Sequence, residues 1–574
     1  MKSPGAASAA LLLAVLPRVT AGQAGERVET RSAGQAEEEA LAARWRMPPM
    51  EMAMPMLPGL RDLVPDVSPF LPGLGADLTE LPEARPPSVV RLTDGDTLDL
   101  EAALLRRTLG DRAVKLYGFN GEQPGPLIRV RRGATIVVRF RNRIELPITL
   151  RWHGVRLENR YDGVPGLTQK PVSPGESFVY RVRFDDPGLF WYHPHQHGEI
   201  AQDLGLYGNI LVEPDRTDYY APVNREAFLL LDDLQVDEKG LLPYGFEAPN
   251  NALMGRFGNL RLVNGEPAYS LEVHRGEVVR FYVTNASNTR TFNLSMGQAP
   301  MKLVAADLSK YEREVRVPNV PVAPGQRYVI DVHFPTPGRV AITSHIQAMN
   351  HFAGVFEPRV DTLGAVVVDE KAVQEEYAEE FEELRENEDV RADVEGLRDS
   401  FDRPVDRELV LSARVGALPT VVLAVMAMDT LYYPPIEWND AMPMMNWLST
   451  GREVRWIVHE PVAGGGTAEL RPAVGWRFRQ HDIVKLRIRN PARGFHPMQH
   501  PIHLHGQRFL VLERDGVRQS NFVWRDTVLL PVGATVDLLV EMSNPGRWML
   551  NCQIPEHLGS GMAITFTVLP SPAR

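Results

Sequence analysis

The chain has 574 residues, 44% of them hydrophobic and 24% charged, with a formal net charge of -11. That length exceeds a single domain, the mix is that of a soluble globular protein, and the acidic balance argues against nucleic acid or an anionic membrane surface as partner. The single cysteine, Cys552, excludes an internal disulfide.

In chain order, residues 1–24 read as a secretory signal: Lys2, the apolar run Ala9 to Leu16, then Thr20-Ala21-Gly22-Gln23-Ala24. The run is too short to cross a bilayer, and no later stretch is long and apolar enough. The mature chain is therefore expected to be periplasmic or secreted, with no membrane span. Residues 25–88 form a Pro/Met-rich linker or wrapping arm that includes Met47-Pro48-Pro49-Met50-Glu51-Met52-Ala53-Met54-Pro55-Met56. Prolines this dense exclude regular structure. The thioethers suit cuprous copper, and packing as apolar filler explains them equally well.

One unit then recurs three times. In the first copy Ile128 to Gly133 leads into Thr135 to Asn142, and Pro174-Gly175 opens Phe178 to Phe184, closed by Pro187-Gly188. In the second, Val273 to Gly276 precedes Val278 to Asn285, then Pro324-Gly325, Tyr328 to Phe334 and Pro337-Gly338. In the third, Arg479 to Asp482 precedes Ile483 to Asn490, then Val532-Gly533, Val536 to Val540 and Pro545-Gly546. Alternating apolar strands between Pro-Gly turns predict three related all-β sandwich domains, over 89–218, 219–370 and 408–574. An acidic linker over 371–407 separates the last two; Tyr377, Phe381 and Leu384 share one helical face there, and a solvated charge run is its default reading.

The chemistry concentrates in the third copy. Cys552, His557 and Met562 follow one another at short spacing, and His500 opens His500-Pro501-Ile502-His503-Leu504-His505-Gly506. A thiolate, two imidazoles and a weak axial thioether are the ligands of a blue-copper electron-transfer site. A lone cysteine is more often a small buried hydrophobe; the joint spacing favours the metal. Counting from the closing Pro-Gly turns, His193-Pro194-His195 matches Asn551-Cys552-Gln553, and Arg151-Trp152-His153-Gly154 looks like the counterpart of His503-Leu504-His505-Gly506. Alternate residues of a strand share a face, so these slots are expected to meet between copies one and three. The second copy has Thr343-Ser344-His345 at that offset and reads as a structural spacer.

His193-Pro194-His195-Gln196-His197-Gly198, the His500 to Gly506 motif and the Cys552 to Met562 run resemble the copper motifs of three-domain multicopper oxidases, particularly laccase-like and bacterial copper-efflux oxidases, from about residue 88 to the end. The resemblance implies three cupredoxin-like Greek-key β-sandwich domains. It implies a type 1 copper on His500, Cys552, His557 and Met562, with His557 as the edge where the electron enters. It also implies a trinuclear cluster between domains one and three that reduces dioxygen to water. Here the pattern departs: Arg151, Asn551 and Gln553 stand where the family has histidines. That leaves His503 alone at the type 2 copper, His153 and His193 at one type 3 copper, and His195 and His505 at the other. A guanidinium cannot ligate a cation, and amide oxygens suit hard ions better than copper. The five remaining imidazoles are expected either to hold one metal, copper or zinc, or to hydrogen-bond as a relic interface. His197 reads as structural. Met426, Met428, Met442, Met444 and Met445 line an approach to the type 1 site or fill a core.

Two function classes follow. One is an exported copper oxidoreductase that takes single electrons from a phenolic, amine or metal-ion donor, with a redox protein as a further candidate partner. The other is a non-enzymatic cupredoxin assembly acting as electron carrier, copper binder or partner-binding scaffold.

Overall fold

The computed structural model describes residues 70–245, 248–350, 355–415, 436–438, 454–462, 464–470, 475–492 and 498–572. The signal region, the Met-rich run and Met426, Met428, Met442, Met444 and Met445 lie outside them.

The repeat read from the sequence is also a repeat of strand pairing. In the first copy Thr97–Leu109 runs parallel to Thr135–Asn142, which pairs antiparallel with Ser177–Arg183. Arg225–Leu234, Val278–Asn285 and Arg327–His333 repeat that order in the second copy. Arg407–Val415, Ile483–Arg489 and Thr535–Glu541 repeat it in the third. Each trio belongs to one sheet, and a second sheet closes the sandwich over it. Strands such as Thr135–Asn142 alternate buried and part-exposed residues, so the inner faces fill apolar cores.

The acidic linker breaks into two short helices, Ala378–Glu382 and Glu388–Glu395. Phe381 is buried as its helical face predicts; Tyr377 is not, and the second helix turns Val390 and Val394 inward instead. Buried Lys302 donates to the carbonyls of Glu380 and Glu383, satisfying the end of the first helix. The linker is thus packed against the domains. At the other end of the chain, residues from Phe70 onward lie along the first and middle copies, Phe70 exchanging two backbone hydrogen bonds with Tyr244.

Two strand pairs carry the sites. Leu150–His153 lies antiparallel to Gly188–Pro194, with Arg151 opposite His193. His500–Leu504 lies antiparallel to Gly546–Cys552, with His503 opposite Asn551. The registers match residue for residue, which supports the internal alignment drawn from the Pro-Gly turns.

Candidate metal centres

In the third domain Ile502 pairs with Cys552, placing His500 one inward-facing residue away from the thiol. The chain then turns into the helix Pro555–Gly559, whose proline occupies a first-turn position that needs no amide donor. That helix brings His557 back over Cys552. The Met562 amide donates to the His557 carbonyl at 2.9 Å and the Cys552 amide to the Met562 carbonyl at 3.1 Å, so the loop is pinned at both ends. Cys552 Sγ lies 3.7 Å from His500 Nδ1 and 3.5 Å from His557 Nδ1, and the two nitrogens are 3.2 Å apart. All three side chains and Met562 are buried.

Two nitrogens and a sulfur sharing one copper would lie roughly 3.5–3.7 Å apart, close to the triangle observed. His557 Nε2 donates to the Leu253 carbonyl at 3.0 Å. That bond holds the proton on Nε2 and leaves the Nδ1 lone pair facing the sulfur. Burial pushes the Cys552 thiol up and pulls the His557 imidazole down to about 3. A neutral ring and a thiol that ionises only against a cation are a donor set that fits copper. His557, expected as the edge where the electron enters, has no exposed surface.

The interface between the first and third domains is built differently. Arg151 is buried and paired with Asp162, and its Nη2 lies 2.9 Å from His503 Nε2. The other His503 nitrogen, Nδ1, faces the Asp526 carbonyl and Thr527 Oγ1, both at 3.0 Å. His505 is likewise spent: Nδ1 lies 2.9 Å from Asp162 Oδ2 and Nε2 2.9 Å from Asn551 Oδ1. The Asn551 amide is oriented by its own donation to the Cys552 carbonyl at 2.8 Å. A guanidinium, an amide and two imidazoles already bonded to protein do not fit a type 2 copper.

Three of the five imidazoles keep a nitrogen with no protein partner: His153 Nδ1, His193 Nε2 and His195 Nε2. His193 donates from Nδ1 to the Pro194 carbonyl at 2.9 Å, so its free nitrogen carries a lone pair. Burial lowers the affinity of all five rings for protons, with His195 falling to about 3; the Arg151 charge adds to this at His193, His195, His503 and His505. The same charge opposes a metal cation. His197 sits apart, half-buried, in a left-handed conformation (φ 53°) beside Glu199.

The middle domain is more than a spacer. Its Arg327 forms a two-pronged ion pair with Asp526 of the third domain at 2.7 and 2.6 Å and donates to the Leu189 carbonyl of the first at 3.0 Å. Asp526 in turn lies 3.3 Å from His153 Nε2 and 3.4 Å from His503 Nδ1, whose rings stack at 3.8 Å. Although His153, His503 and Asp526 cluster closely, Asp526 is committed to Arg327. The trio therefore orients two rings rather than cradling an ion. Sequence reasoning missed Asp162, Asp526, Arg327 and the Leu253 carbonyl. A buried arginine in a histidine slot does signal a buried carboxylate partner, but nothing selects which of 73 acidic residues supplies it.

Family models described as multicopper oxidase match residues 105–217, 232–356 and 448–572. Multicopper oxidase MmcO of Mycobacterium tuberculosis is 28% identical over 511 residues, spanning 86% of this chain and 90% of that protein. Laccase-8 of Oryza sativa is 25% identical over 510 residues, 80% and 89% of the two chains. Among solved structures, a multi-copper oxidase from Pseudomonas thermotolerans superposes with a TM-score of 0.60 at 25% identity, covering 83% of this chain and all of that one.

Proposed function

The chain belongs to the multicopper oxidase family, and from that premise we propose a one-electron oxidation of a phenolic, amine or metal-ion donor at a type 1 copper that His500, Cys552, His557 and Met562 would hold. When bound, the copper supplies the single-electron redox chemistry. The chain's own contribution is positional. Two strands and a one-turn helix preset the triangle, Leu253 fixes the His557 tautomer, and complete burial keeps water off the sulfur. The observation that carries this reading is the mutual approach of one sulfur and two nitrogens within 3.7 Å.

Four-electron reduction of dioxygen at a trinuclear cluster lacks its ligand set, because Arg151 and Asn551 consume the nitrogens of His503 and His505 that the cluster would need. The electron is then passed to an external acceptor, for which a redox protein is a candidate. His153, His193 and His195 keep unmet nitrogens, but the side chains that come together here closely enough to hold an ion are His153, His503 and Asp526, and Asp526 is committed to Arg327. The names of these two relatives favour an oxidase over the scaffold reading. Among the described residues no helix is long and apolar enough to cross a membrane, and the amino-terminal signal pattern supports export by the general route.

The test is metal analysis and an absorption spectrum of protein produced in copper-rich medium, followed by addition of a laccase dye. The expected result is a thiolate-to-copper colour, which the dye bleaches under argon. Protein that stays colourless with copper present overturns the assignment.

A further inference from the structure

A cleft of about 680 Å3 opens where the first domain, the middle domain and the acidic linker meet. Most of the stretch from Pro214 to Val223, in which the first domain passes into the middle one, lines it, together with Glu380, Glu383 and Arg385 of the linker. None of its lining residues is a candidate copper ligand. Apolar surface comes from Leu211, Val212, Pro222 and the rings of Tyr219, Tyr220 and Tyr282. Tyr219 and Tyr220 meet edge to face at 4.7 Å, and Tyr282 stacks on Phe228 at 4.9 Å.

The polar groups along this lining divide into spent and unspent. Arg129 pairs with Glu213 at 2.8 Å and Glu226 at 3.1 Å, Arg216 pairs with Asp218 at 2.6 Å, and the Tyr282 hydroxyl donates to Glu226 at 2.9 Å. Arg280, only 4% exposed, commits Nε and Nη2 to Asp331 and the Ala221 carbonyl, each at 2.8 Å. Among the described residues its Nη1 has no acceptor, and neither do the hydroxyls of Tyr219 and Tyr220, whose pKa values burial pushes up so that both stay protonated. Arg385 donates Nη2 to the Asp218 carbonyl at 3.0 Å and pairs with no described carboxylate. The Glu380 and Glu383 side chains likewise pair with no described cation; only their carbonyls are engaged, by Lys302. The cleft thus offers donors and positive charge to an anion and two carboxylates to a cation. A guanidinium edge this deeply recessed without an acceptor calls for one.

We propose that this cleft binds a zwitterion with an aromatic side chain, an amino acid or dipeptide, its carboxylate on Arg280 Nη1, Arg385 and the two tyrosine hydroxyls and its ammonium on Glu380 and Glu383. Guanidinium and hydroxyl donors take a carboxylate through charge-assisted hydrogen bonds. The tyrosine rings supply the surface for an aromatic side chain. Unpaired charges of both signs in one cleft select against a ligand that carries only one: a simple anion meets the glutamates, and a simple amine meets the arginines. A bound zwitterion would tie the linker to both domains. Binding there needs no copper, so it stands or falls separately from the oxidation proposed above.

Calorimetric titration of the full chain with the dipeptide phenylalanyl-alanine tests it. Saturable binding is expected, with a rise in melting temperature. Phenylpropionate, which lacks the ammonium, and phenethylamine, which lacks the carboxylate, are each expected to bind at least about tenfold more weakly. Glu380→Gln combined with Glu383→Gln, at two exposed positions, is expected to weaken the dipeptide severalfold and to leave phenylpropionate no weaker. Tyr220→Phe keeps the ring against Arg280 and is expected to weaken the dipeptide and phenylpropionate alike by severalfold. No saturable binding at millimolar dipeptide overturns the site. Equal affinity for phenylpropionate or phenethylamine overturns the zwitterion class. Unchanged dipeptide affinity in either variant overturns the contact that variant removes, and in both it overturns the placement in this cleft.

Discussion

The pocket around Cys552 and the interface around Arg151 descend from equivalent strand pairs, yet they differ in how their nitrogens are employed. At Cys552 the inward nitrogens face one another and the sulfur, and the outward proton of His557 is sent to Leu253. At Arg151 the inward nitrogens of His503 and His505 meet a guanidinium and an amide instead. Counting histidines does not separate the two regions, since the interface has more of them. What separates them is that the nitrogens around Cys552 converge with the sulfur, whereas at the interface both nitrogens of His503 and of His505 are already bonded to protein.

The comparison breaks first if Cys552→Ala keeps its colour. That variant is expected to lose the colour, and donor oxidation is expected to fall by at least about a hundredfold, since losing a ligand exceeds the loss from disturbing a ligand's support. Converting Arg151, Asn551 and Gln553 together to histidine should raise copper content above that of the wild type. An unchanged metal analysis would show that the interface is shaped against metal by more than these three residues. Arg151→Met strands the buried Asp162 carboxylate and is expected to cost about 3–5 kcal/mol, read as a lower denaturant midpoint.

The pH response sharpens the contrast in metal-free protein. Burial holds the folded pKa of His195 at about 3 against 6.5 when exposed, so the neutral ring is favoured by folding. Stability from this ring is complete above pH 6.5 and is lost as the pH falls towards 3, because the unfolded chain takes the proton first. Between those limits wild type should lose roughly 1 kcal/mol per pH unit more than His195→Gln does. The smallest effect is expected at His197, which belongs to neither region. Its left-handed backbone makes His197→Gly neutral to a few tenths of a kcal/mol stabilising, with copper content unchanged.

Much of the fold was legible because its signals are local. Pro-Gly turns and alternating strands recur at matching offsets, and the observed strands begin and end within a residue or two of them, as at Val278–Asn285. The Cys552 group was legible because three of its four members lie within eleven residues of one another. The supports around it were not. The Leu253 carbonyl is 304 residues from His557, and Arg327 is 199 from Asp526. A main-chain carbonyl also carries no residue-type signature at all. The acidic linker shows a milder version of the same limit: one apolar face was read where the chain breaks at Glu383, and Val390 and Val394 answer to domain surfaces that sequence periodicity does not reveal.

Arg327 has a consequence for how this chain can be taken apart. One side chain of the middle repeat fastens a main-chain oxygen of the repeat before it and a carboxylate of the repeat after it. Excising or exchanging the central unit would leave Asp526 as a stranded anion in a dry seam. Through this one side chain the stability of each outer repeat is tied to the presence of the middle one.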